Sequence, residues 1–123
     1  MNDLKNRTKK FTVDTLRFCS KLPKEMEFQI IRGQLVRSGS SVGANYRAVC
    51  RAKSTADFIH KLSIVEEEAD ESAFWLEVLH DLGMTESAER TRLESEANQL
   101  VAIMVSSKKT TRVSAANERS PRS

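Results

Sequence analysis

The sequence is poor in the residues that bend or end regular secondary structure. Its 123 residues include only four glycines and two prolines. Such scarcity is typical of long helices and argues against an all-β protein with many turns. No run approaches the roughly 18 apolar residues of a membrane span, and the N-terminal residues lack the apolar segment of a signal peptide. We therefore expect no membrane contact and a cytoplasmic location.

Cysteine is also scarce, and the chain is short. Cys19 and Cys50 are the two cysteines, and their spacing matches no metal-ligand pattern, so we expect reduced thiols. The length suits one domain. So small a core favours a partner chain that covers leftover apolar surface.

The charge is unevenly distributed along the chain. Residues 1–53 carry a net charge of +8, residues 54–105 carry −9, and residues 106–123 carry +4. One interpretation is that basic and acidic helices pair within one bundle or between protomers. The other is that the basic half forms a nucleic-acid face.

Apolar residues recur at alternating spacings of three and four in four segments, which predicts four helices. Short connections between them predict an all-α, antiparallel up-down-up-down four-helix bundle. The predicted helices cover residues 2–21, 24–51, 55–82 and 86–107. We expect the bundle to occupy residues 1–107 and a disordered basic tail to occupy residues 108–123, which contain few apolar residues.

Local signals predict where the helices begin and end. Pro23 suits a first helical turn. Ser54 and Thr55 are the N-cap candidates of the third helix and Thr85 is that of the fourth, and Ser54 with Asp57 resembles a capping box. Gly83 is expected just after a helix end.

The second predicted helix contains Gly39 and Gly43, four residues apart. This spacing indicates either close approach of another backbone or a kink, and a local break in the helix is the remaining alternative. A phosphate-binding loop is disfavoured, because the segment follows no strand and lacks a Gly-Lys-Ser/Thr ending. Four outward-facing apolar residues suggest that the bundle packs against copies of itself: Val36, Ile59, Trp75 and Val78.

The third predicted helix contains most of the acidic residues. Glu77 and His80 match a Glu-x-x-His pattern, but His60 has no Glu three residues before it, so the second motif of a two-metal bundle site is missing. Glu68 and Glu71 match Glu-x-x-Glu, for which the fourth predicted helix offers a second carboxylate pair only loosely: Glu86, Glu89, Glu94 and Glu96. A solvated acidic face or a salt-bridged interface is the preferred interpretation. We predict no catalytic, metal or cofactor-binding residues.

Cations on the first two predicted helices are the candidate nucleic-acid ligands. Only Tyr46 and Phe11 are aromatic candidates for base stacking, so we expect salt-sensitive binding with little base readout. The predicted ligands are Lys9, Lys10, Arg17, Arg32, Arg37, Arg47, Arg51 and Lys53.

Three motifs resemble those of a bacterial family. Residues 37–48 read Arg-Ser-Gly-Ser-Ser-Val-Gly-Ala-Asn-Tyr-Arg-Ala. This stretch resembles the signature of small four-helix-bundle proteins, some of which are encoded within intervening sequences of 23S rRNA genes. Residues 57–64 and 68–77 are similar to the next two motifs of that family.

The resemblance implies a ring-like homopentamer. It also implies a distant similarity to the accessory variability protein of diversity-generating retroelements, a pentameric bundle that works with a reverse transcriptase. The family has no established catalytic residues to carry over. The matched positions are interpreted as packing and assembly residues: Ser38, Gly39, Gly43, Asn45, Glu68, Glu71 and Trp75.

The leading hypothesis is therefore a non-enzymatic, oligomeric bundle that binds RNA, or a ribonucleoprotein or reverse-transcriptase partner, through a basic face. The alternative is a protein-interaction scaffold that binds no nucleic acid. An enzyme that acts through acidic residues is a third and weaker hypothesis.

Overall fold

Residues 2–119 are described by a computed structural model and form four helices. The helices are α1 (Asn2–Ser20), α2 (Met26–Val49), α3 (Thr55–Asp81) and α4 (Ala88–Arg119). The prediction of an all-α fold with four helices is confirmed. Every boundary except the end of α4 lies within two residues of the predicted one.

The helices pack as an antiparallel bundle in which each contacts the next along the chain, and α4 closes the bundle against α1. The antiparallel arrangement is visible in the pairs between helices. Arg7 and Asp14 of α1 meet Glu96 and Arg92 of α4, in that order, so the numbering of the partners falls as that of α1 rises. In the same way, Ser63 and Leu76 of α3 meet Lys108 and Arg90 of α4. The predicted apolar stripes form the core, whose largest fully buried side chains include Phe11, Leu35, Leu62, Leu76, Leu79, Leu93, Leu100 and Met104.

The two glycines of α2 allow a close approach of α1. A Cβ atom at Gly39 would lie 2.6 Å from the Thr15 methyl group, and one at Gly43 would lie 3.2 Å from the Thr8 carbonyl oxygen. The Thr12 hydroxyl donates to the Gly39 carbonyl at 2.7 Å and accepts from the Gly43 N–H at 3.0 Å. Close backbone approach, one of the two predicted interpretations, is therefore what the structure shows.

The helix ends follow the local signals in part. The Ser54 hydroxyl accepts the Asp57 N–H at 3.0 Å, and Gly83 adopts a φ of 109°, so both predictions are confirmed. The reciprocal bond of the capping box differs, because the Asp57 carboxylate accepts from Lys53 N–H rather than from Ser54.

Two predicted helix starts are wrong. Pro23 does not occupy the first turn of α2, because the N-cap is Glu25. The N-cap of α4 is not Thr85, because the Ser87 hydroxyl accepts the Arg90 N–H at 3.1 Å and the helix begins at Ala88. Ser87 has the same hydroxyl chemistry as Thr85, and the Arg90 side chain, which donates to the Leu76 carbonyl, holds this turn against α3.

The prediction of a disordered tail is wrong for residues 108–119, which continue α4. Lys108 explains this extension. Its ammonium lies 2.6 Å from a Glu66 carboxylate oxygen and 3.1 Å from the Ser63 hydroxyl, which attaches the extension to α3. Composition does not predict this contact. A polar segment is expected to be disordered, and the partners of Lys108 on α3 are distant in sequence. Residues 120–123 of the predicted tail lie outside the described residues.

Candidate nucleic-acid interface

A shallow groove runs between α1 and α2 where Thr12 brings the two helices together. The groove is about 390 Å³ in volume. Its floor is made of small residues of α2, and its sides carry cations from both helices. The lining residues are Lys5, Lys9, Thr12, Ser40, Gly43, Ala44 and Arg47.

A second cleft of about 370 Å³ continues this groove toward the turn between α2 and α3. The two clefts share Ala44 and Arg47, so they form one surface. The second cleft is lined by Ala44, Arg47, Ala48, Arg51, Lys53 and Lys61. We call the combined surface the basic groove and its five exposed cations, Lys5, Lys9, Arg47, Arg51 and Lys53, the groove cations.

Within residues 2–119, the side chains of the groove cations have no carboxylate partner. None of the five side chains forms an ion pair or a hydrogen bond there, although the Lys53 backbone N–H donates to the Asp57 carboxylate at 3.1 Å. Lys61, by contrast, pairs with Asp57 at 2.7 Å. Unpaired cations on one surface create a positive potential that attracts polyanions.

Four of the eight predicted ligands come together here: Lys9, Arg47, Arg51 and Lys53. Lys5 and Lys61 also line the groove, although neither was among the predicted ligands. The spacing of Lys5 and Lys9, four residues apart like Arg47 and Arg51, is the signal that places each pair on one helix face.

Arg32 and Arg37 have internal partners instead. The Arg32 guanidinium donates to the carbonyls of Cys19 at 2.9 Å and Leu22 at 2.6 Å, which satisfies the C-terminal end of α1. Arg37 pairs with Glu68 and Glu71 of α3. The structure therefore gives these two arginines packing contacts away from the basic groove.

Lys10 and Arg17 also lie away from the groove. Lys10 pairs with Asp14 at 2.6 Å, and Arg92 of α4 pairs with the same carboxylate at 2.9 Å. Hydrogen bonds from Lys10 and from Arg92 lower the pKa of Asp14. Arg17 lines a cleft at the opposite end of the bundle, together with Lys21 and Met84.

The predicted packing and assembly residues are arranged as intramolecular contacts. Ser38, Gly39 and Gly43 lie in the packed faces of α2, and the Asn45 amide donates to the Ser41 carbonyl within α2 at 2.8 Å. Between α2 and α3, the Glu71 carboxylate accepts from the Arg37 guanidinium of α2. It also accepts from the Trp75 indole N–H of α3 at 3.2 Å. The hydrogen bond from Arg37 lowers the pKa of Glu71.

Several large apolar side chains of α2 and α3 remain exposed. Val36, Trp75 and Val78, which the sequence suggested as outward-facing, are partly buried against the core, and Ile59 is half-buried. More exposed are Met26 and Ile30 of α2, and Phe74 of α3 with Leu82 after its end. We call these four exposed side chains of α2, α3 and the turn after α3 the apolar surface.

The acidic patterns of α3 do not form a metal centre in the described part of the chain. Among the side chains of these residues, no group of three His, Cys, Asp or Glu is arranged to hold a metal ion. Glu77 and His80 share a shallow cleft with Asp81, Arg90 and Glu94, in which Arg90 pairs with Glu94 at 2.5 Å. Among residues 2–119, no helix combines the length and apolar character of a membrane span.

The fold and the groove define an all-α, four-helix-bundle protein with an exposed basic surface. The family model of the 23S rRNA-intervening sequence protein matches residues 2–106, and the chain belongs to this family. The match ends where the extension of α4 onto α3 begins, so the extension lies outside the matched segment.

A solved structure supports the same fold. A protein of unknown function from the S23 ribosomal protein family of Bacteroides thetaiotaomicron is 30% identical to this chain, with a TM-score of 0.78. The match covers 86% of this chain and 98% of that one. A search of curated proteins finds no match.

Proposed function

We propose that this chain is a non-enzymatic, oligomeric helical protein of the cytoplasm that binds RNA through the basic groove. The observation that carries the proposal is the set of five exposed groove cations without a carboxylate partner in residues 2–119. A polyanion neutralises such cations and releases the counterions that surround its phosphates, which favours binding at low salt.

The family description supports RNA as the polyanion, because it refers to an intervening sequence of 23S rRNA. A ribonucleoprotein or a reverse transcriptase bound to its RNA would present the same phosphate chemistry. The resemblance to the retroelement accessory protein supports this second kind of partner.

Self-association is part of the proposal, and the apolar surface supports it. Met26 is 78% exposed, Ile30 59% and Phe74 53%. Large apolar side chains that remain exposed on a small protein favour association of protomers. The family resemblance implies five copies, and sedimentation of the purified protein measures the number.

RNA affinity against salt concentration tests the binding proposal. We expect the triple variant K9A/R47A/R51A to bind a structured RNA at least 10-fold more weakly than the wild type. Removing about three phosphate contacts should also reduce the slope of log affinity against log salt by about 2–3.

The matched control is the triple variant R17A/K21A/K24A. It removes the same charge from exposed cations that have no ion pair in residues 2–119 and lie at the other end of the bundle. We expect its affinity to change less than that of the groove variant. Equal losses in both variants would show that only net charge matters, and unchanged binding by the groove variant would contradict the proposal.

A scaffold without nucleic-acid binding is the second candidate, and one observation favours it. Exposed carboxylates on α3 complement the groove cations of a neighbouring protomer: Glu67, Asp70, Glu77 and Asp81. This candidate predicts oligomers that dissociate at high salt and in the K9A/R47A/R51A variant. It also predicts no RNA affinity in the wild type.

A further inference from the structure

We infer that the basic groove binds the sugar–phosphate backbone of double-stranded RNA and not the bases of a single strand. The inference rests on the proposed function, since it names the kind of RNA that the groove accepts. Three features of the groove lead to it: its aromatic content, its hydrogen-bonding groups and its shape.

No residue that lines the basic groove is aromatic. The aromatic candidates from the sequence are unavailable for stacking, because Tyr46 is 6% exposed and Phe11 is 1% exposed. Proteins that bind single strands usually stack successive bases on aromatic side chains, and each stacked base contributes about 1–3 kcal/mol. The groove lacks this source of affinity for unpaired bases.

The neutral polar groups of the groove already have partners inside the protein. The Thr12 hydroxyl bridges the Gly39 carbonyl and the Gly43 N–H. The Ser40 hydroxyl donates to the Val36 carbonyl at 2.6 Å. Among the described residues, the lining contains no Asn, Gln, Asp or Glu to read base edges, so the groove cations dominate recognition.

The shape of the groove suits a continuous ridge of phosphates. Its floor consists of Gly43, Ala44 and Ala48, whose small side chains permit close approach. Lys5 and Lys9 flank this floor from α1, and each helix presents cations one turn apart, about 6 Å along the axis.

A duplex presents such a ridge in an ordered form before it binds. A single strand must lose backbone freedom on binding, and here no stacking offsets that loss. Double-stranded RNA is recognised mainly through its shape and its backbone, which matches a groove that offers charge and space but no base-reading groups.

Fluorescence anisotropy with two labelled ligands tests the inference. One ligand is an RNA duplex of about 20 base pairs, longer than the roughly 16 that known double-strand-binding domains cover. The other is an unstructured single strand of the same length. At equal salt, we expect the full-length wild-type protein to bind the duplex at least 10-fold more tightly.

Paired charge reversals show whether the groove is responsible. We expect K9E/R47E to lose at least 10-fold in duplex affinity, and K21E/K24E, at the opposite end, to lose less than about 3-fold. Circular dichroism verifies that both variants remain helical. A second groove pair, K5E/R51E, replaces any variant that does not fold.

Different outcomes would overturn duplex recognition and RNA binding itself. Equal or tighter binding to the single strand, reduced by the groove variants, would overturn the inference and leave the proposed function intact. Duplex binding that both charge-reversal pairs reduce equally would also overturn the inference. No binding to either RNA would overturn the proposed function itself.

Discussion

The Thr12 hydroxyl of α1 accepts the backbone N–H of Gly43 in α2 at 3.0 Å and also donates to the Gly39 carbonyl at 2.7 Å. One side chain of α1 therefore bonds to two backbone groups of α2 that are four residues apart, the Gly39 carbonyl and the Gly43 N–H. This contact fixes the spacing of the two helices that carry Lys9 and Arg47. The small residues of α2 thus allow α1 to pack closely, and this packing determines the distance across the basic groove.

The three glycines of α2 should respond differently to alanine. A Cβ at Gly39 would meet the Thr15 side chain at 2.6 Å, whereas a Cβ at Gly33 meets nothing within 4 Å. We expect Gly39→Ala to lower the free energy of unfolding by about 1–3 kcal/mol through overpacking. Gly33→Ala should raise it by about 0.5–1 kcal/mol through helix propensity.

Urea unfolding followed by circular dichroism measures both changes, and Gly33→Ala is the matched control on the same helix. Gly43→Ala should also destabilise, because its Cβ would lie 2.6 Å from the Thr12 hydroxyl oxygen and 3.2 Å from the Thr8 carbonyl oxygen. Stabilisation by Gly39→Ala would contradict the close packing of α1 against α2.

The helical pattern of this chain is predictable because its signals are local. Apolar spacing locates α1 to α3, and Ser54 and Gly83 mark the two ends of α3 through hydroxyl capping and a positive φ. The end of α4 is not predictable in this way. Lys108 finds Ser63 and Glu66 only after α3 and α4 have packed, and polar composition suggests disorder.

The basic groove, like the helices, could be predicted from the sequence only in part. The sequence identifies the cations on α1 and α2. It does not show which of them pair with carboxylates or donate hydrogen bonds to backbone carbonyls. Arg32 and Arg47 look equivalent in sequence, yet the first donates to the end of α1 and the second lines the groove. That distinction depends on which residues of other segments lie nearby in three dimensions.

Lys108 should stabilise the extension of α4. We expect Lys108→Ala to lower the free energy of unfolding by about 1–2 kcal/mol, because it leaves the half-buried Glu66 carboxylate without its ion pair. Lys109→Ala is the control, since Lys109 is exposed and should change stability by less than about 0.5 kcal/mol. Thermal unfolding of both variants measures the difference, and equal values would refute attachment through Lys108.

The two cysteines should differ in reactivity. Burial raises the pKa of the Cys19 thiol to about 11, against a smaller opposing effect of Arg32, so this thiol stays protonated at pH 8. Cys50 is exposed. We expect one equivalent of a thiol reagent to react rapidly with the folded protein and a second only on unfolding. The Cys50→Ser variant should lose the rapid phase, and rapid labelling of that variant would contradict the burial of Cys19.

Arg37 should contribute stability that depends on pH. Its hydrogen bond holds the pKa of Glu71 below the ordinary value of 4.5, so the carboxylate favours folding when it is ionised. This contribution is fully present above pH 4.5 and is lost as the pH falls through the lowered pKa, since the unfolded chain then binds the proton more readily.

We therefore expect Arg37→Met to destabilise the protein at pH 7, with a difference from the wild type that shrinks as the pH is lowered from about 5 to about 3. Urea unfolding at several pH values measures the difference. Arg17→Met is the control, because Arg17 is exposed and has no carboxylate partner in residues 2–119, so its effect should not vary with pH in this range. A constant difference for Arg37→Met would mean that Arg37 acts on stability through the packing of its aliphatic stem and not through its charge on Glu71.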